Sequence, residues 1–211
     1  MIIRTLALVS AALATAGAAD AALMPVASLP GPQGTVAFPT TGAQPAGPVS
    51  VGVGNRTVTF SDPGATFDVD VAGGTSSFPS GAQVIYDGGF SGMTGTGTIR
   101  VAFSAPVTGF SLGAEDFDTF TAPITYTLTA FDSGGGTIGT QTASGSFGDT
   151  LATFTDLSAT PVTALTISDN DASSAGIGLG LIAIQPVPEP ATIAMLSAGL
   201  LGLGVLRRRR A

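Results

Sequence analysis

From about Val51 onward, apolar and polar residues alternate along this chain of 211 residues. In "GTIRVAFSAP" the apolar residues Ile99 and Val101 are two positions apart, and in "PITYTLTAFD" one threonine separates Tyr126 from Leu128. A period of two is typical of a β-strand that buries one face and leaves the other in water. No run with helical spacing interrupts the pattern, so the sequence predicts an antiparallel sheet.

Further runs with the same pattern predict additional strands, and β-branched threonine and valine favour the extended conformation. These runs are Thr57–Phe60, Thr66–Val71, Gln83–Tyr86, Val107–Leu112, Thr137–Ala143, Leu151–Leu157, Val162–Ser168 and Ile177–Ile184. Short strands at this spacing predict an all-β, antiparallel β-sandwich over residues 51–186. Residues 22–50 are rich in proline and glycine and are expected to form a lead-in, with Val36–Phe38 as a candidate edge strand.

The composition excludes several classes of chemistry. The chain has no cysteine and no histidine, which removes disulfides, thiolate catalysis and every catalytic arrangement that depends on an imidazole base. Between residues 22 and 186 there are twelve acidic residues against two basic ones, Arg56 and Arg100, and there is no lysine. Such a surface repels phosphates, so nucleic acid is not expected as a partner.

The N-terminus has the order of parts of a secretory signal peptide. A short basic start that ends at Arg4 is followed by a small, apolar stretch. Ala19 and Ala21 then fit the small-x-small cleavage pattern. Residues 1–21 are therefore predicted to be a signal peptide, with Ala22 as the first residue of the mature chain.

The C-terminus, "VPEPATIAMLSAGLLGLGVLRRRRA", combines two prolines around a glutamate, an uncharged span over residues 191–206 and four arginines. As a helix the span would be about 24 Å long, which is short for a bilayer core of about 30 Å. It is therefore expected to be a short transmembrane helix that holds the precursor transiently in the inner membrane. The basic tail is expected to keep the C-terminus in the cytoplasm; it consists of Arg207, Arg208, Arg209 and Arg210.

This tripartite order resembles the PEP-CTERM sorting signal of bacteria with an outer membrane, over residues 187–211. The resemblance implies that the membrane enzyme exosortase recognises and processes the C-terminus after export through the Sec machinery. It carries the sorting motif onto Val187, Pro188, Glu189 and Pro190, and implies a final location at the cell surface or in the extracellular matrix. The strand order after Ile99 is also similar to the jelly-roll β-sandwiches found as cargo of this sorting system, which resemble carbohydrate-binding modules in shape.

Acidic residues between the predicted strands are the candidate ligands for a cation. They lie in "EDFD" and "DND" and comprise Glu115, Asp116, Asp118, Asp169 and Asp171. Oxygen ligands on loops suit calcium, so a structural calcium ion is the one candidate cofactor, although neither stretch follows the EF-hand pattern. No catalytic residue is assigned, and the chain is not expected to be an enzyme.

Two functions stay open at this point. The first is a non-enzymatic surface or extracellular-matrix protein that is sorted by exosortase. The second is a lectin-like module, with or without calcium, or a hydrolytic module that acts on extracellular polysaccharide. The absence of histidine, of tryptophan as a stacking platform and of a recognisable catalytic motif favours the first.

Overall fold

The computed structural model describes residues 23–31, 34–38, 47–62, 67–73, 76–87, 97–116, 123–170 and 176–187. Within these ranges all regular structure is β-strand, and every strand pair is antiparallel. The strands are β1 (Leu23–Pro25), β2 (Gly34–Thr35), β3 (Val49–Val53), β4 (Arg56–Ser61), β5 (Phe67–Val71), β6 (Gln83–Asp87), β7 (Thr98–Asp116), β8 (Ile124–Phe131), β9 (Thr137–Gly145), β10 (Ala152–Asp169) and β11 (Ile177–Pro186).

Two long strands, β7 and β10, run through both halves of the fold. The first part of β7 pairs with β4 and with the second part of β10, which also pairs with β8. Together with β3 and β9 these strands form the first half-sheet. The second part of β7 pairs with β11 and with the first part of β10, and β1, β2, β5 and β6 complete the second half-sheet.

Prolines mark the places where the two long strands turn from one half-sheet into the other. The β7–β10 register shifts between Leu157 and Ala164, so that Pro106 and Pro161 both lie in the irregular region. Proline has no N–H to donate to a ladder and is tolerated at bulges. The inward-facing positions also change from odd to even along β7, as shown by buried Val101 and buried Leu112.

Contacts between the half-sheets show that they are stacked face to face. The rings of Phe38 and Phe60 are 5.3 Å apart, and Leu23 of β1 lies against Gly139 of β9. One hydrophobic cluster draws on both half-sheets, with Leu128 fully buried. The predicted all-β, antiparallel β-sandwich is confirmed, and its two layers are continuous through β7 and β10.

The sheet begins earlier than the predicted lead-in allowed. Strands β1 and β2 lie within residues 22–50, and β3 starts at Val49. Val36–Phe38 follows β2 without being a strand itself, but Phe38 is buried. The Phe38 N–H donates to the Gln83 side-chain oxygen at 2.9 Å, and the Gln83 amide donates to the Phe38 carbonyl at 2.7 Å. Proline-rich segments can add short edge strands because an edge residue needs no second ladder partner.

The sandwich has two distinct ends. At the stem end lie the β3–β4 turn, the β8–β9 turn, both bends and the end of β11 at Pro186. At the opposite, acidic end lie the last residues of β7 and β10 and the first of β11. The acidic end is defined by its buried or half-buried carboxyl groups, which are Asp62, Asp87, Glu115, Asp116 and Asp169.

Candidate functional site

Glu115 is held by hydrogen bonds that connect β7 to β6 and to the residues that precede β6. Its carboxylate accepts from the Ser76 hydroxyl at 2.6 Å, the Ser77 N–H at 2.8 Å and the Tyr86 hydroxyl at 2.9 Å. Hydrogen bonds to a charged acceptor are among the stronger ones in proteins. Burial, followed by the charge of Glu115, raises the pKa of Tyr86, which therefore stays a neutral donor. Glu115 acts as a structural brace.

The side chain of Asp116, the next residue, lies on the other face of the strand. Successive strand residues point in opposite directions, and Asp116 is buried beside Tyr126 rather than beside Ser76. Burial raises the pKa of the fully buried Tyr126 hydroxyl, and the charges of Asp116 and then Asp169 add to this effect. The structure therefore brings Asp116 and Asp169 towards one hydroxyl and directs Glu115 elsewhere.

Asp87 and Asp62 form an acid pair that sequence reasoning missed. Asp87, the last residue of β6, is 1 % exposed, and Asp62 directly follows β4 in the other half-sheet. Burial, then the neighbouring Asp62 carboxyl group and to a smaller extent the charge of Asp169 together raise the pKa of Asp87 to about 7, while a hydrogen bond with the Thr98 backbone opposes the shift. No local sequence signal links two acids 25 positions apart, because their contact depends on the stacking of the half-sheets.

The calcium hypothesis stays a prediction. Asp118 and Asp171 lie outside the described residues, and Glu115 already accepts three hydrogen bonds. Within the ranges that the structure describes, no group of three acidic side chains is arranged to hold a metal ion.

The sorting motif begins where the sheet ends. Val187 follows Pro186, the last residue of β11, and it is half-buried. The other predicted signals lie outside the described residues; these are Pro188, Glu189, Pro190, the arginines at 207–210, the signal peptide and its cleavage site at Ala19, Ala21 and Ala22. Among the residues that are described, no helix has the length and apolar character to cross a bilayer.

A cleft lies at the stem end beside the exit of the chain. Its walls come from β2, the β3–β4 turn and the end of β11, and its lining residues are Gly34, Val53, Gly54, Asn55, Arg56, Ile184 and Pro186. The turn is a two-residue connection in which Gly54 has φ 60°, a conformation that glycine adopts without strain. Most of the lining is apolar, and Arg56 supplies the one charged group among these residues.

The fold and the chain exit define an all-β domain followed directly by a C-terminal signal. Residues 186–210 match the family described as the PEP-CTERM protein-sorting motif. The chain therefore carries the sorting signal of an exported protein. No curated protein sequence matches the chain.

Solved structures with a similar arrangement of strands are only distantly related. A DUF4465 family protein from Bacteroides caccae is 12% identical over 74% of this chain and 100% of its own, with a TM-score of 0.40. The family 11 carbohydrate-binding module of the cellulase Lic26A-Cel5E of Clostridium thermocellum is 12% identical over 69% of this chain and 98% of its own, with a TM-score of 0.33. At this level of similarity, no individual side chain of this protein can be matched to one in those structures.

Proposed function

We propose that this protein is a non-enzymatic surface or extracellular-matrix protein that exosortase processes at Pro188-Glu189-Pro190 after export through the Sec machinery. The observation that carries the proposal is the match to the sorting motif over residues 186–210, which starts at the last residue of β11. Because β11, the last strand that the structure describes, ends at Pro186, removal of the segment after Pro190 would take away none of the described strands.

The position of the stem end next to the sorting signal would fix the orientation of the domain relative to the membrane. Residues 187–190 span at most about 14 Å, so in the membrane-held precursor the stem end would lie close to the bilayer. Strand β11 has ten residues and runs from the acidic end to the stem end, a length of about 33 Å. The acidic end would then face away from the bilayer.

The described acids support a non-enzymatic role. Glycoside hydrolysis uses two carboxyl groups on opposite sides of a bound sugar. Here Glu115 is occupied by three hydrogen bonds, and Asp87 and Asp116 are each 1 % exposed. Glu115 braces the sandwich, and burial withdraws Asp87 and Asp116 from a substrate.

Processing is tested by Glu189→Ala, which removes the carboxylate of the motif and leaves the apolar span and the arginines intact. Intact-mass measurement of the exported wild-type protein should show the loss of residues 191–211, whereas the variant should accumulate as full-length precursor in the inner membrane. Asp149→Ala, in an exposed turn at the acidic end, is the matched control and should be trimmed normally. Export of a wild-type protein that keeps its four arginines would refute the proposal.

A further inference from the structure

Arg56 lines the stem-end cleft, and its side chain carries an unsatisfied donor. Its Nη1 donates to the Asn55 side chain at 3.1 Å, whereas its Nε is buried and has no acceptor among the described residues. A buried guanidinium N–H without a partner costs free energy, and a carboxylate is the acceptor that its planar geometry fits. The cleft therefore has the chemistry of a site for an acidic segment.

None of the described acids supplies that carboxylate to the Arg56 Nε. Asp132 is at the same end of the sandwich, but one of its oxygens accepts from the Gly134 and Gly136 N–H groups at 2.8 Å each. Asp156 is buried between the half-sheets and accepts from Gln141. The other cation of the domain, Arg100, lies over the Phe131 ring at 5.8 Å, so Arg56 is the basic group beside the chain exit.

The sorting motif is within reach of the cleft. Pro186 forms part of the cleft wall, and Glu189 is three residues further on, a distance of about 10 Å in an extended chain. Val53, Ile184 and Pro186 provide an apolar surface of the kind that proline rings cover. Length, charge and apolar character therefore all match the segment 188–190.

We propose that residues 188–190 dock in the stem-end cleft of the precursor, with the Glu189 carboxylate paired to Arg56. This rests on the proposed function, since it assigns a regulated state to the same motif. Exosortase must then displace the motif from the folded domain before cleavage. The folded cargo thereby limits the rate at which its own sorting signal is trimmed.

The absence of cysteine from the chain allows a direct test of docking by disulfide formation. Full-length precursor carrying Asn55→Cys and Pro190→Cys, which keeps Glu189, is made in a host without exosortase and oxidised mildly in its membranes. The control pair is Ser133→Cys with Pro190→Cys, because Ser133 is exposed in the β8–β9 turn at the same end of the sandwich but outside the cleft. Non-reducing gels and intact mass report the intramolecular bond.

Docking predicts that the Asn55 pair forms its disulfide about tenfold faster than the control pair, because docking raises the local thiol concentration. Arg56→Gln added to the Asn55 pair should lower its rate to that of the control. Equal rates for the two pairs, or a rate that does not respond to Arg56→Gln, would overturn the proposal.

The consequence for trimming is measured separately in a host that contains exosortase. There, Arg56→Gln alone should raise the trimming rate severalfold, and an unchanged rate would overturn the limiting role of docking. If even the wild-type protein were not trimmed, the proposed function would fail while the disulfide result still stood, so the two failures are distinguishable.

Discussion

Asp156 is a carboxyl group in the interior of the sandwich, and its replacement by asparagine should stabilise the protein at neutral pH. The residue lies on the first part of β10 and is fully buried. The Gln141 amide of β9 donates to its Oδ1 across the two half-sheets, while its Oδ2 has no hydrogen-bond partner. Burial raises the pKa of Asp156 from 3.8 to about 6, and the Gln141 hydrogen bond opposes this shift.

The sign and size of the effect follow from proton linkage. Because the folded state binds the Asp156 proton more tightly than the unfolded state, this group costs stability as pH rises from about 4 to about 6. This difference between the folded and unfolded pKa of Asp156 lowers the free energy of unfolding by about 1–3 kcal/mol at neutral pH, where the charged carboxylate is buried. Asparagine cannot ionise, and its carbonyl can still accept from Gln141. Its amide, however, places an N–H where Oδ2 had no partner, at a cost of about 1 kcal/mol at every pH.

The measurement is urea unfolding, followed by far-UV circular dichroism, of the parent and Asp156→Asn proteins at pH 4 and pH 7.5. The free energy of unfolding of the variant minus that of the parent should be about 2 kcal/mol larger at pH 7.5 than at pH 4. Asp149→Asn removes the same charge from an exposed turn and corrects for the change in net charge. A stability difference between Asp156→Asn and its parent that is the same at both pH values would refute the reasoning.

Three further outcomes are expected. Leu128→Asp should abolish the folded state, because it places a charge at a fully buried position, and the β-type dichroism should be lost. A fragment of residues 22–187 should fold without the tail into a protein whose dichroism is that of strands, and a helical spectrum would contradict this. Gly176→Ala should cost at least about 1–3 kcal/mol in thermal or urea unfolding, since Gly176 has φ 135° and a Cβ there would lie 1.6 Å from the Asp87 carbonyl oxygen. Gly31→Ala is its control, because φ there is also positive (74°) but nothing lies within 4 Å, so it should cost less.

The strands could be predicted from the sequence because alternation is a local property. Thr57–Phe60 and Gln83–Tyr86 fall within β4 and β6, and the runs on either side of Pro106 both lie in β7. The continuity of β7 and β10 through their bends could not be predicted in this way. A proline ends a periodic run whether or not the ladder resumes beyond it, and only the partner strand decides that.

The candidate sites also differ in whether they depend on local sequence or on the folded structure. The sorting motif is a linear signal, and the match to residues 186–210 confirms it. The Asp62–Asp87 pair and the Arg56 cleft are each built from distant parts of the chain, so their residues look like ordinary loop or turn residues in the sequence. Adjacent Glu115 and Asp116 were grouped by sequence, but the alternation of the strand sends them to opposite faces.

The place of β11 in the sheet sets the time at which an exported chain can finish folding. It is the last strand that the structure describes, yet it lies between β6 and β7 inside the second half-sheet. A chain that crosses the membrane from its N-terminus delivers residues 177–186 immediately before the sorting signal. Until they arrive, the edge of β7 that β11 covers remains open to pairing with other chains. Under the proposed function, completion of the fold and arrest in the membrane would therefore occur at nearly the same moment.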